Sequence, residues 1–477
     1  MIMILIWLSP LILFLGLILS GRSALTAGTL GTICAALVAY LAGPAHPDAA
    51  AIIRHFAAGA WIGLPATLVI VAGLAFSLSL EKPSSEADPA RPEHGSLAEA
   101  CLLRGPFLET STGFGVGYVV AVSGARSLGV DRAPALALAT FSQILVPWGA
   151  LGIGTRISAD IAGVSLTALI WRIAIVTALL GAVLLPLFWR LSRQAGLPPA
   201  LADRIEWAGL IALLMALLVA ANLTLPLELA AIAALAPVML LRFLRVKGFA
   251  GLDRALLARL APYIALVVAL ALMRLVPVIH DRLEIPSFKP FAETSAFAPL
   301  LSPALPLIII ALVVAIRRGG VKQATALMTL TLQRAGRAAL LTFLLVGMAW
   351  IMVGSGLAGG IGLAVSGVLG SWSAGIVPVA GALGGYLTGS NTGAGAVSMP
   401  LATALVPAGE ARLLVIAAAV VAGSLLTAVS PVRITMGQVL IKATTAETGQ
   451  ALRALWPWFA LVVGLTTAIA LAAAQLA

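Results

Sequence analysis

The strongest constraint on this chain is a succession of apolar runs, each about 20 residues long, separated by short polar stretches. Inside a bilayer no water satisfies backbone N–H and C=O groups, so a spanning segment must close its hydrogen bonds internally, as a helix does over roughly 20 residues. Composition agrees: 61% of the 477 residues are hydrophobic and 10% charged, where soluble chains run at roughly 45–50% and about 25%. A water-soluble fold is excluded. The runs are unbroken and rich in Ala, Leu, Val and Gly rather than alternating every second residue, which argues against an outer-membrane barrel. The expected class is an all-α polytopic membrane protein.

About a dozen spans are expected, at residues 2–20, 24–43, 57–80, 133–154, 164–189, 207–221, 225–241, 262–278, 298–316, 338–357, 414–429 and 458–476. The first run has no basic flank and no small-residue cleavage site, and reads as a retained helix. The longest polar interruption, 81–96, mixes both charge signs with Pro and Ser and reads as a loop. The bases behind the net charge of +11 cluster between apolar runs, around 190–206, 242–259 and 317–337. Such clusters mark cytoplasmic loops rather than a nucleic-acid surface, and the number of intervening spans is consistent with all three lying on one side.

Two apolar segments are broken at their centres by polar, glycine-rich residues. In 97–127 the break is Glu109, Thr110, Ser111, Thr112, Gly113, Phe114, Gly115, Val116 and Gly117; in 372–407 it runs from Gly384 to Gly395 and includes Ser390, Asn391, Thr392 and Gly393. The flanking arms are too short to span singly, and unwound backbone at depth is tolerated where protein buries it or it lines a cavity. Both therefore read as re-entrant hairpins. Each is followed by a span carrying helix breakers: Pro147, Gly149, Gly152 and Gly154 after the first, Ser430 and Pro431 after the second. A hairpin and then a broken helix, once in each half, is the pattern of inverted-repeat, elevator-type secondary transporters. The chain divides accordingly into scaffold helices (1–96), a first repeat (97–190), central scaffold helices (191–337), a second repeat (338–453) and a C-terminal helix (454–477), all one transporter domain.

Thr110 to Thr112 in one tip and Ser390 to Thr392 in the other are suited to capping the returning arms, so two helix N-termini would aim free N–H groups at one spot. That is an anion site, most simply for a carboxylate. Glu109, an ionisable group at a hairpin tip, is the candidate proton carrier. Glu228 follows Pro226 at a span start and reads as a partner of the helix dipole. Arg156 and Arg433 each admit two readings, an interfacial arginine or a guanidinium that clamps a substrate carboxylate. Arg274 and Lys442 read as interfacial. The two cysteines, Cys34 and Cys101, offer neither a CxxC pair nor a metal-ligand set, so no metal or cofactor is expected.

In order along the chain, Phe107-Leu108-Glu109, Gly113-Phe114-Gly115, Trp148 to Ile153, Leu387 to Thr392 and Ser430-Pro431 resemble the signature stretches of the L-lactate permease family. Typical members carry Asp at the position of Asn391, Ala-Pro at Val116-Gly117, Gly-Ala-Ala at Thr110 to Thr112, and uncharged residues at Arg156 and Arg433. The resemblance implies a bacterial inner-membrane symporter that imports lactate, glycolate and related 2-hydroxymonocarboxylates with protons. The two tips and the broken spans beside them, for their part, lead to expected substrate contacts at Thr110, Ser111, Thr112, Gly113, Gly115, Ser390, Asn391, Thr392, Gly393 and Ser430.

Three classes remain at this point. The first is a proton-coupled monocarboxylate symporter; the second is a sodium-coupled carboxylate transporter, suggested by the Ser390-Asn391-Thr392 tip. A membrane-embedded enzyme is disfavoured because no His, Cys or paired-carboxylate constellation stands at membrane depth. The expected partners are a small organic carboxylate and the lipid bilayer, with no nucleic acid and with a homodimer left open.

Overall fold

The computed structural model describes residues 2–80, 93–113, 115–145, 148 and 150–475. Residues 81–92 of the polar loop, and Phe114, Pro147 and Gly149, lie outside the described residues. The described chain is helical apart from turns and one isolated bridge between Phe288 and Phe297. Among the described residues, eleven helical stretches are long and apolar enough to cross a membrane. The protein is a polytopic α-helical membrane protein.

Three helices open the chain: α1 (Ile2–Leu19), α2 (Ala24–Ala42) and α3 (Ala49–Leu80). The first broken segment and the helices beside it follow as α4 (His94–Glu99), a π-helical turn at Ala100–Arg104, α5 (Gly105–Thr112), α6 (Val116–Ser127), α7 (Arg132–Ala139) and α8 (Ile153–Ala162). Then come α9 (Leu166–Gln194), α10 (Leu201–Thr224), α11 (Leu227–Lys247), α12 (Arg254–Leu275), α13 (Pro277–Glu284) and α14 (Ala304–Gly354). The second broken segment and its neighbours comprise α15 (Leu357–Leu369), α16 (Ile376–Thr388), α17 (Asn391–Leu405), α18 (Glu410–Ala428) and α19 (Pro431–Ile441), before α20 (Thr445–Ala454) and α21 (Trp456–Gln475).

Both broken segments fold back on themselves. In the first, a Cβ at Gly117 would stand 2.2 Å from the Gly105 carbonyl oxygen, and one at Gly124 would stand 2.9 Å from Ala100 Cβ, so α6 returns antiparallel along the arm that precedes it. In the second, a Cβ at Gly384 would meet Ala394 Cα at 3.0 Å, which sets α16 against α17 in the same way. Small residues permit these approaches, since between helices in lipid the attraction is close packing rather than water exclusion. The same device seats α16 on α18: Gly385 lies against Gly423, and Thr427 Oγ1 donates to the Gly385 carbonyl at 3.3 Å. Almost every residue of α18 is buried, which makes it the axis of the bundle.

The hairpins point in opposite directions. The open end of the first lies beside Arg242, whose guanidinium is 2.7 Å from a Cβ placed on Gly95. Arg242 and Arg245 both reach Glu206 at the start of α10, at 2.6 and 3.6 Å, and Arg318 donates to the Ser79 carbonyl at the end of α3. These contacts gather the basic clusters on one face, called here the basic side. The open end of the second hairpin lies at the other face: Arg412 holds the Val406 carbonyl at 2.7 Å, and Glu410 nearby pairs with Arg172 near the start of α9. The two tips meet between these faces.

The 133–154 span is broken, as its helix breakers indicate: α7 gives way to a 3-10 turn at Thr140–Gln143, and left-handed backbone at Leu151 (φ 49°) and Gly152 (φ 76°) starts α8 afresh. Two expectations change. The basic stretch 317–337 is not a loop. Its break is confined to Gly319 and Gly320, where the backbone leaves helical geometry and divides α14 into two helices, and the rest is helical because its Lys, Arg, Gln, Ala and Leu residues favour helix and their charged ends reach outward. Helix α15 occupies residues that the hydropathy reading leaves unassigned.

Candidate functional site at the hairpin tips

The first tip turns at two glycines in left-handed territory, Gly113 (φ 73°) and Gly115 (φ 80°), where a side chain is strained. Thr110, Ser111 and Thr112 do not cap the returning arm. They finish α5, and their hydroxyls donate back to the carbonyls of Pro106, Phe107 and Leu108 at 2.8, 2.8 and 2.6 Å. The acceptor for α6 is Glu109. Its carboxylate takes the backbone N–H of Gly115 at 3.2 Å and of Gly117 at 3.1 Å, so this helix N-terminus is already occupied by a charge of the chain itself.

At the second tip the expected cap is present: Ser390 Oγ accepts from Gly393 N–H at 3.5 Å, and α17 begins at Asn391. Ser430 caps α19 in the same manner, accepting from Arg433 N–H at 3.2 Å, with Pro431 in the first turn. Helix α8 starts from Gly152 with no side-chain cap.

These starts converge. A Cβ on Gly389 would lie 2.9 Å from Val432 Cβ, joining the second tip to α19, and one on Gly115 would lie 2.6 Å from Arg433 Nη1, joining the first tip to the same helix. A Cβ on Gly154 would lie 2.7 Å from Asn391 Cβ, and one on Gly395 would lie 2.5 Å from Ser158 Oγ, so α8 and α17 run side by side in the same direction from adjacent N-termini. Each broken helix thus abuts the hairpin of the other repeat. Across one of these junctions Arg433 Nη1 stands 3.3 Å from Glu109 Oε1, and both side chains are largely buried.

A cavity of about 730 Å³ opens at this convergence. The bundle lines it with Glu109, Ile153, Gly154, Asn391, Thr392 and Arg433; Trp148, Thr388, Gly389 and Ser390 also contribute. The facing wall comes from α2, α3 and α14, including Ser23, Thr342 and Arg337, and the last of these belongs to the basic stretch, so the cavity extends toward the basic side. Neither Thr110 to Gly113 nor Gly115, Gly393, Ser430 or Arg156 is among the lining residues. Ser430, Gly115 and Gly393 instead shape the backbone behind it. Arg156 is engaged elsewhere, 3.3 Å from Glu228, which Arg274 also holds at 2.6 Å. Glu228 is therefore a buried ion-pair residue rather than only a dipole partner at the interface, and Arg274, with a side chain 17% exposed, is paired rather than free at the surface.

Sequence reasoning missed the facing wall, because nothing in the composition of α2 or α14 distinguishes the turn that meets the tips. The α8 start did carry a signal in Gly152 and Gly154, whose role is to end one helix and to let Asn391 approach another.

Residues 233–472, which include the second hairpin, α18, α19 and most of α21, match the L-lactate permease family. The chain belongs to that family. Among curated individual proteins, none matches it. Membership makes this permease a carrier of lactate across a membrane, a transporter rather than an enzyme.

The Glu109 network yields a stability prediction. Truncation to alanine strips two buried N–H groups of their acceptor and leaves Arg433 without its counter-ion, a loss of roughly 3–5 kcal/mol for a broken buried pair. Glutamine keeps one acceptor oxygen. In detergent, Glu109→Ala should unfold at a clearly lower temperature than Glu109→Gln; equal midpoints would show that the carboxylate does not hold the tip.

Proposed function

We propose that the permease imports small 2-hydroxymonocarboxylates, lactate or glycolate among them, together with protons across a bacterial inner membrane. The observation that carries this reading is the Glu109–Arg433 pair at the wall of a cavity into which the starts of α8 and α17 open. In it the two hairpins are re-entrant, the basic side is cytoplasmic, and the cavity belongs to the inward-facing form.

The substrate carboxylate takes the uncapped N–H groups at the start of α8, beside Asn391 and Thr392, while its hydroxyl finds the polar side chains of the second tip. Of the two arginines that line the cavity, Arg433 is the one at the tips and Arg337 belongs to the facing wall. In the empty site Glu109 occupies the Arg433 guanidinium. A substrate carboxylate about 5 Å from ionised Glu109 would be repelled by about 3 kcal/mol at an effective dielectric of 20. A proton on Glu109 removes the repulsion and frees Arg433 for the substrate. Empty, the pair is Arg433 with Glu109; loaded, it is Arg433 with the substrate. Neither state adds net charge to the bundle as it passes through the membrane. The unprotonated loaded state does, and that penalty couples the two fluxes.

Alternating access follows if the bundle moves against α1 to α3 and α12 to α14, an elevator-like motion of the site past a fixed wall. Uptake of labelled lactate and glycolate into proteoliposomes tests the assignment. Accumulation should follow an imposed pH gradient and persist when Li⁺ or choline replaces Na⁺; dependence on Na⁺ would overturn proton coupling. Asn391→Ala should weaken substrate binding by about 1–3 kcal/mol, the cost of an unmade buried hydrogen bond, and unchanged affinity would remove Asn391 from the site. Glu109→Gln should retain binding and exchange while losing pH-driven accumulation. Normal accumulation by that variant would move the proton path elsewhere.

A further inference from the structure

On the face opposite the basic side, polar contacts link α8 through α11 to α12 of the facing helices, and none of the residues making them lines the cavity. Helix α8 carries two of them one turn apart, Arg156 and Asp160. Arg156 Nη2 lies 3.3 Å from Glu228 Oε1 at the start of α11, and the same oxygen receives Arg274 Nη2 of α12 at 2.6 Å. Two guanidinium groups thus share one carboxylate oxygen that is almost wholly buried. Asp160 lies near the Ser295 side chain. Ser295 belongs to the segment between α13 and α14, where Phe288 and Phe297 exchange backbone hydrogen bonds at 3.0 and 2.9 Å. That segment is fastened to α3: the Trp61 indole donates to the Ser295 carbonyl at 3.3 Å, its ring meets Phe297 edge-on, and Arg54 lies 3.6 Å from Glu293.

We propose that Arg156, Asp160, Glu228, Arg274 and Ser295 form a latch that holds the permease in the form whose cavity reaches the basic side and that parts when the opposite form is reached. The geometry forces a link between latch and site. The first turn of α8 supplies Ile153 and Gly154 to the cavity wall, and the latch residues follow on the same rigid helix. A movement that carries the α8 start past α3 and α14 carries Arg156 and Asp160 with it, away from α12 and the Ser295 segment. The α8 start also shares an apolar cluster with this scaffold, in which Leu151 and Ile153 join Val69 and Leu307, a surface that slides with little directional preference. The Arg274–Glu228 ion pair is directional and has to break. The latch acts on the balance between forms and touches no substrate, so its residues are positioning residues. The inference rests on the alternating-access reading above.

The test reads conformation without substrate. In a chain with Cys34→Ser and Cys101→Ser, a reporter Ala338→Cys on the cavity wall is labelled by a membrane-impermeant maleimide from the basic side in sidedness-defined vesicles. Arg274→Gln should slow that labelling at least threefold, as the form open to the basic side is depopulated, and Arg274→Lys should restore most of the rate. Equal rates in Arg274→Gln and its parent would overturn the latch. In the same cysteine-free background, Asp160→Cys with Ser295→Cys should cross-link on oxidation, reduce uptake to below a tenth and recover on reduction; full uptake with complete cross-linking would overturn it independently. A labelling shift without lactate uptake would instead count against the substrate assignment alone.

Discussion

Every helix that starts inside a bilayer exposes backbone N–H groups with no partner in its own first turn, and no water is there to take them. Four helices of this permease begin at one place, and the way each finds partners for its first N–H groups organises the rest. Ser390 caps α17 and Ser430 caps α19 with hydroxyls. Glu109 caps α6 with a carboxylate, which brings a charge into the interior and draws Arg433 from the other repeat to balance it. Only α8, of the four, begins with no side-chain cap, and it begins at the cavity. A ligand carboxylate there would complete the set.

The same requirement explains the glycines. Helix starts approach within contact distance only if little stands between them, and Gly115, Gly154 and Gly389 occupy the three junctions where a Cβ would meet Arg433, Asn391 and Val432. The close fit makes the tips a rigid unit, while the wall contributed by α2, α3 and α14 belongs to a separate layer. A site split between a rigid bundle and a facing wall is what alternating access needs, since displacement along that boundary changes the exposure of the site without rebuilding it.

Much of this was legible in the sequence. Long apolar runs identify the spanning helices, and polar glycine-rich breaks locate both tips because nothing else accounts for Glu109 or Ser390-Asn391 within an apolar stretch. What stayed illegible is direction and pairing. Thr110 to Thr112 look like N-caps by composition, but Ser and Thr donate equally well to a carbonyl one turn back, and only the course of the chain shows that they end α5. Arg433 and Glu109, or Arg156, Glu228 and Arg274, are far apart along the chain, and hydropathy carries no information on which of them meet. The basic stretch at 317–337 misleads for a related reason: charge density reads as a loop, whereas Lys and Arg are good helix formers that reach outward from a helix as readily as from a turn.

The account turns on one exchange, a substrate carboxylate taking the place of Glu109 beside Arg433 while Glu109 takes up a proton. Purified permease titrated with lactate in weakly buffered solution near neutral pH measures this directly. The account requires the solution to become more alkaline in proportion to occupancy, approaching one proton taken up for each lactate bound. Saturable lactate binding with no proton uptake would contradict it.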